Sequence, residues 1–147
     1  MRTIKRIGFC LAASLPALIF STSSASVLDE RALREECSAL SQAGMQDCLA
    51  KKAKNSQDVL RQAEENVASL LSKWDEDDKY VNQAKANLAA SNKEFVKYRE
   101  SQCELSASLG GGAIGNALEM RRLACVAELN SRRSEQLRDA VSDLPLK

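Results

Sequence analysis

The sequence of 147 residues contains no histidine. Without an imidazole the usual general base for a serine or cysteine nucleophile is missing, and so is the commonest nitrogen ligand of zinc. Aromatic residues make up only 4 % of the chain, and no run alternates apolar and polar side chains between turn signals. Both observations argue against a sheet-based fold. Basic and acidic residues nearly cancel, 21 against 20, a net +1, too small a surplus to support a nucleic-acid partner. Beyond the first twenty residues no apolar segment is long enough to cross a bilayer.

The opening residues are different in kind. Arg2, Lys5 and Arg6 form a basic start, Ile7 to Phe20 is mostly apolar, and Ser23-Ser24-Ala25 supplies small residues before Ser26. That order predicts a secretory signal peptide over residues 1–25, cleaved after Ala25. The apolar run, about fourteen residues, is shorter than the ~20 a spanning helix needs. Cys10 lies early in that run, behind Ile7-Gly8-Phe9, which is not the Leu-small-small triplet of a lipid-attachment box, so no membrane anchor is expected. The signal takes three basic residues and no acidic one, leaving 18 against 20, a net −2, over a single domain of 26–147. A periplasmic or secreted location follows.

In such a compartment the four remaining cysteines, Cys37, Cys48, Cys103 and Cys125, read as two disulfides. Their ten, fifty-four and twenty-one intervening residues match no zinc pattern. Three pairings are open, and short loop closure favours Cys37–Cys48 with Cys103–Cys125, each worth roughly 3 kcal/mol in the chain-entropy model.

Helical periodicity fills the rest. Leu49, Ala53, Ser56, Leu60, Ala63, Val67, Leu70 and Trp74 alternate spacings of four and three, as do Val81, Ala84, Leu88, Ser91, Phe95, Tyr98, Gln102 and Leu105. This predicts two long antiparallel helices sharing a coiled-coil-like seam. A short leading helix is expected over Asp29 to Leu40, with Ser41 as the next N-cap, and a last helix over Leu118 to Val141 carrying Leu123, Val126, Leu129, Leu137 and Val141. Pro145 marks a frayed tail. The fold class is all-α, a small disulfide-bonded bundle built on a long helical hairpin.

Two loops stand out as candidate partner-binding elements. Asp75, Glu76, Asp77 and Asp78 join the two long helices, either as capping residues favoured by the helix N-terminus or as an acidic docking patch. Gly110, Gly111, Gly112 and Gly115 follow the second long helix. Gly110, Gly112 and Gly115 fall in the G-x-G-x-x-G register, but that fingerprint needs a preceding strand. Here it follows a helix, so it reads as a chain-reversing turn bounded by Cys103 and Cys125. Up-down geometry sets the two loops at opposite ends. Arg121, Arg122, Arg132, Arg133 and Arg138 crowd the last helix as a solvated face with pairs such as Glu128–Arg132, while Arg99 and Arg133 are expected to pair with carboxylates such as Glu100 or Glu104.

The segment L-A-A-S-N-K-E-F-V-K-Y-R-E-S-Q-C, Leu88 to Cys103, resembles L-x-x-A-Q-R-A-W-I-x-F-R-D-A-Q-C of the LprI lysozyme inhibitors, with Phe95 for Trp, Tyr98 for Phe and Arg99 for Arg. Cys125 to Leu137 is similar to the family's C-L-x-x-L-T-x-x-R-x-x-x-L, with Asn130 for Thr and Arg133 retained. Ser41 to Cys48 is similar to T-Q-x-E-M-N-x-C, with Gly44 at the capping-box Glu. The family's L-N-x-x-Y is here L-R-Q-A-E, Leu60 to Glu64. The resemblance implies a secreted, disulfide-bonded helical domain that inhibits lysozyme by protein–protein occlusion, protecting peptidoglycan, with no catalytic residue, no metal and no cofactor. The alternative is a general cell-envelope interaction module without inhibitory activity.

Overall fold

The computed structural model describes residues 28–112 and 116–147; the expected signal segment and Gly115 lie outside them. Four helices follow in order: α1 (Glu30–Cys37), α2 (Gln42–Ser72), α3 (Asp78–Ser108) and α4 (Ala117–Asp139). No strand occurs among the described residues, only an isolated antiparallel bridge between Trp74 and Leu146. The all-α class holds, and the disulfides are Cys37–Cys48 and Cys103–Cys125.

The arrangement of the helices departs from the expected hairpin. α4 is the central element and packs on all three others, whereas α2 and α3 touch each other sparsely. The buried stripe of α2 is Leu49, Ala53, Ser56, Leu60, Ala63, Val67 and Leu71, ending on Leu71 rather than Leu70. Its partner is Met120, Ala124, Ala127, Asn130, Ser134 and Leu137 of α4, where small side chains let the backbones approach. Met120, Ala124 and Ala127 meet Leu49 and Ala53 in one apolar cluster, and Leu137 meets Leu60, Ala63, Val67 and Leu71 in the other. α4 therefore runs alongside α2 in the same direction. Each fully buried leucine, Leu49 and Leu60, contributes about 1.5–3 kcal/mol.

On α3 the expected seam is interrupted at the exposed Ser91 and fails beyond Phe95. Val81, Cys103 and Ser106 are buried and Ala84, Leu88 and Phe95 half-buried, but Tyr98 and Leu105 are each 53 % exposed. A helix of 3.6 residues per turn drifts about 20° per heptad against a strict seven-residue repeat. Two heptads after Val81 the drift carries Tyr98 and Leu105 off the contact face. It brings Arg99, Cys103 and Ser106 onto it.

α1 is held by polar bonds as well as by Leu33 and its disulfide. Its N-cap, Asp29, accepts from the Ala32 amide at 2.8 Å. The Glu128 carboxylate accepts from the Glu30 amide at 2.9 Å, and Ser106 donates to Glu30 at 2.6 Å. Lys52 pairs with Glu36 at 2.9 Å. Ser41 caps α2 as expected, accepting from the Gly44 amide at 3.3 Å.

The residues around Pro145 are not frayed. The Asp75 amide donates to the Pro145 carbonyl at 2.8 Å and the Lys147 amide to the Lys73 carbonyl at 2.9 Å, while Val141 and Leu144 pack with Trp74 on the second cluster. Proline lacks a backbone donor but keeps its carbonyl acceptor, so Pro145 takes part in this pairing. Because Trp74 is the sole tryptophan, the contact has an optical readout. Removing Leu144 to Lys147 is expected to red-shift the tryptophan emission and cost about 1–2 kcal/mol in denaturant unfolding; unchanged emission and unchanged midpoint would show that the pairing contributes nothing.

Candidate functional site

The acidic link lies at the end of the bundle where α2 hands over to α3. Asp75, Glu76, Asp77 and Asp78 are all exposed. Asp77 is the N-cap of α3 but its side chain makes no capping bond, and none of the four carboxylates is in an ion pair among the described residues. Glu76 accepts from the Asp77 amide at 3.1 Å. Lys147 donates its ammonium to the Glu76 carbonyl at 3.4 Å, so the link is braced through its backbone while its carboxylates face water. Capping of α3 by a side-chain hydrogen bond does not occur, since Asp77 makes none and Glu76 reaches only the amide of the N-cap residue.

The glycine turn lies at the opposite end, one α3 length away, roughly 45 Å at 1.5 Å per residue. Gly110 is fixed by a close approach, since a Cβ there would collide with the Leu118 side chain. Gly111 has φ +59°, the left-handed region that costs other residues about 1–2 kcal/mol. Gly112 borders open space. The two candidate elements are therefore not brought together.

A third constellation was not anticipated. In the cleft between α2 and α3, floored by α4, the two motif arginines bind neutral groups instead of carboxylates. Arg99 donates from Nη1 to Gln57 Oε1 at 2.6 Å and to Asn130 Oδ1 at 2.7 Å. Arg133 donates from Nη2 to Ser91 Oγ at 2.8 Å and Asn92 Oδ1 at 3.2 Å. Both guanidiniums lie over the Phe95 ring, 5.9 and 5.7 Å from its centroid, within the range of a cation–π attraction. The expected pairing with Glu100 or Glu104 is absent: on a helix Glu100 is the neighbour of Arg99 and points about 100° away, and Arg99 is pulled into the bundle by Asn130.

Asn130 is fully buried and donates to Ser56 Oγ at 3.1 Å. Ser56 already stood in the predicted stripe of α2. Asn130 stood in the family-like segment without a partner assigned, because nothing in one sequence pairs residues 31 and 74 positions apart. Arg132 pairs with Glu128 at 2.6 Å as expected. Arg99 also lines a hollow of about 200 Å³, together with Gln57, Glu100, Glu104 and Arg122.

Two carboxylates respond oppositely to their surroundings. Burial raises the Glu64 pKa above its ordinary value of 4.5, with Arg133 and then Arg99 pulling it back and Glu65 adding to the rise. Hydrogen bonds from Arg122, at 2.7 Å each, hold Glu119 below the same value. Folded Glu64 binds its proton more tightly than the unfolded chain does, so its ionised form costs stability at neutral pH and that cost disappears as pH falls through the raised pKa. Folded Glu119 stabilises above 4.5 and loses that contribution as pH falls through its depressed pKa. In thermal melts against pH, Glu64→Gln is therefore expected to melt above wild type at pH 7, the gap narrowing as the pH falls through the raised pKa toward 4.5. Glu119→Gln is expected to melt below wild type, its gap closing only under 4.5. Parallel curves for the two variants would contradict both assignments.

Comparison with known proteins places these features in a family. A family model described as Lysozyme inhibitor LprI matches residues 34–137, more than two thirds of the chain. No curated protein and no solved structure matches it. The matched span runs from within α1 into α4 and contains both disulfides, the acidic link, the glycine turn and the two motif arginines. The chain belongs to the LprI lysozyme inhibitor family.

Proposed function

We propose that this chain is exported through a signal segment, residues 1–25, and inhibits a lysozyme by covering the enzyme's cleft, so protecting peptidoglycan. The family match over residues 34–137 carries the reading. The mechanism is occlusion, in which bundle residues exclude the polysaccharide from the enzyme's catalytic carboxylates. No bond is made or broken by the inhibitor itself.

The acidic link is the proposed leading contact. Animal-type lysozymes are strongly cationic, and exposed carboxylates without cationic partners both steer encounter and pair at the rim of the complex. Four such residues on one braced turn supply that charge, although the domain's net charge is small. The glycine turn is the proposed contact for an enzyme whose cleft admits a thin backbone segment. With the two ends roughly 45 Å apart, one enzyme molecule engages one end.

Purified residues 26–147 are expected to slow cell-wall lysis by at least one of the animal-, goose- or invertebrate-type lysozymes at micromolar concentration. Failure against all three would overturn the inhibitor reading and leave a general envelope interaction module. Replacing Asp75, Glu76, Asp77 and Asp78 by their amides is expected to weaken inhibition about tenfold at low salt and to flatten its salt dependence. Gly112→Trp adds bulk where the fold has room, so a loss of inhibition confined to that variant would move the contact to the glycine turn.

A further inference from the structure

We propose that Arg99 and Arg133 form a receptor for a carboxylate of a polypeptide partner, seated in the α2–α3 cleft over Phe95. The site is distinct from both ends of the bundle and does not depend on the lysozyme reading.

Three observations carry it. First, the two guanidiniums are half-buried, and neither forms an ion pair among the described residues. A half-buried arginine whose acceptors are all neutral retains an uncompensated positive charge, and low solvent access strengthens its attraction for an anion. Second, each guanidinium is pinned through one nitrogen only. Arg99 uses Nη1 for both of its bonds, leaving Nε and Nη2, the edge that forks onto a carboxylate, without a partner among the described residues. Arg133 uses Nη2 for both of its bonds, and its Nε is buried with no partner. The pinning holds both planes in place before a ligand arrives, which lowers the entropy lost on binding. Third, Glu64, a carboxylate close enough to feel both arginines, makes no ion pair with either. It tempers the local charge without occupying the free donors.

Planar, two-point recognition is what distinguishes arginine from lysine at such a site. The ligand class is accordingly a carboxylate, supplied either by an acidic side chain or by the free end of a peptide.

The site can be read by NMR of the arginine Nε–H signals in purified residues 26–147, with three capped tripeptides as probes. One is Ala-Glu-Ala blocked at both ends, one is Ala-Ala-Ala with a free carboxyl end, and the control is blocked Ala-Gln-Ala. Saturable shifts of Arg99 and Arg133 with either acidic probe, and none with the control at matched ionic strength, are expected; the probe that binds identifies the source of the carboxylate. Glu64→Gln, which leaves both arginines in place, is expected to tighten binding about fivefold by removing a neighbouring like charge. Glu65→Gln makes the same charge change on the exposed side of α2 and is expected to leave binding unchanged within about twofold. Arg99→Lys, which keeps the charge but not the open fork, is expected to weaken binding at least about tenfold. Equal shifts with the glutamine control, no saturation, or equal effects of the Glu64 and Glu65 variants would each overturn the proposal.

Discussion

Asn130 lies fully buried in the central helix, and an amide in that position must be satisfied or it costs about 1–3 kcal/mol. Its acceptor takes Arg99 from α3 and its donor reaches Ser56 from α2. Both bonds form in one register only. Sliding α4 by a turn against either neighbour would bury the amide among leucines of one cluster or methyl groups of the other. A single polar residue in an apolar seam is known to fix register in helical bundles at some expense of stability. Here the layer of Ser56, Asn130 and Ser134 divides the core into its two apolar clusters. The alignment of α2, α3 and α4, and with it the placing of both bundle ends, follows from that division.

The disulfides brace the bundle from outside the layer, one of them on the same central helix. Cys103–Cys125 joins α3 to α4 close to the glycine turn, and Cys37–Cys48 ties α1 to the start of α2. Glu128 then docks the first turn of α1 onto α4 by accepting from the Glu30 amide. A helix of eight residues is too short to hold its own shape in water. It persists because its two ends are fastened, one by sulfur and one by a carboxylate only 13 % exposed.

The helices themselves, the cap at Ser41, the apolar stripe of α2 and the cysteine pairing were legible in the sequence because each rests on local spacing. The identity of α2's partner was not. The contact face of α4 consists of Met120, Ala124, Ala127, Asn130, Ser134 and Leu137, and four of these six are alanine, asparagine or serine, which carry little hydropathy signal. Leu123, Val126 and Leu129, which do carry it, are only half-buried on the flanks. The stronger leucine pattern therefore suggested that α2 and α3 pack on each other. Small residues instead admit α4 between them at close range, where contact area outweighs side-chain hydrophobicity. On α3 the error was one of period, since a straight helix does not keep a seven-residue seam for four turns.

The arginine cleft was half legible. Arg99 and Arg133 could be singled out from the family-like segments, but their partners come from other helices and could not. The position that most alters the cleft is Glu64, where the family-like pattern L-N-x-x-Y would place a tyrosine. A phenol there would add a neutral hydrogen-bonding group beside two guanidiniums. A carboxylate adds a charge that burial disfavours, yet it makes no ion pair that would close the site. The two guanidiniums consequently stay without an ion-pair partner among the described residues. That lack costs the folded chain stability, because half-buried charges without partners are expensive, and it remains until a carboxylate from outside the chain occupies the open edge of Arg99.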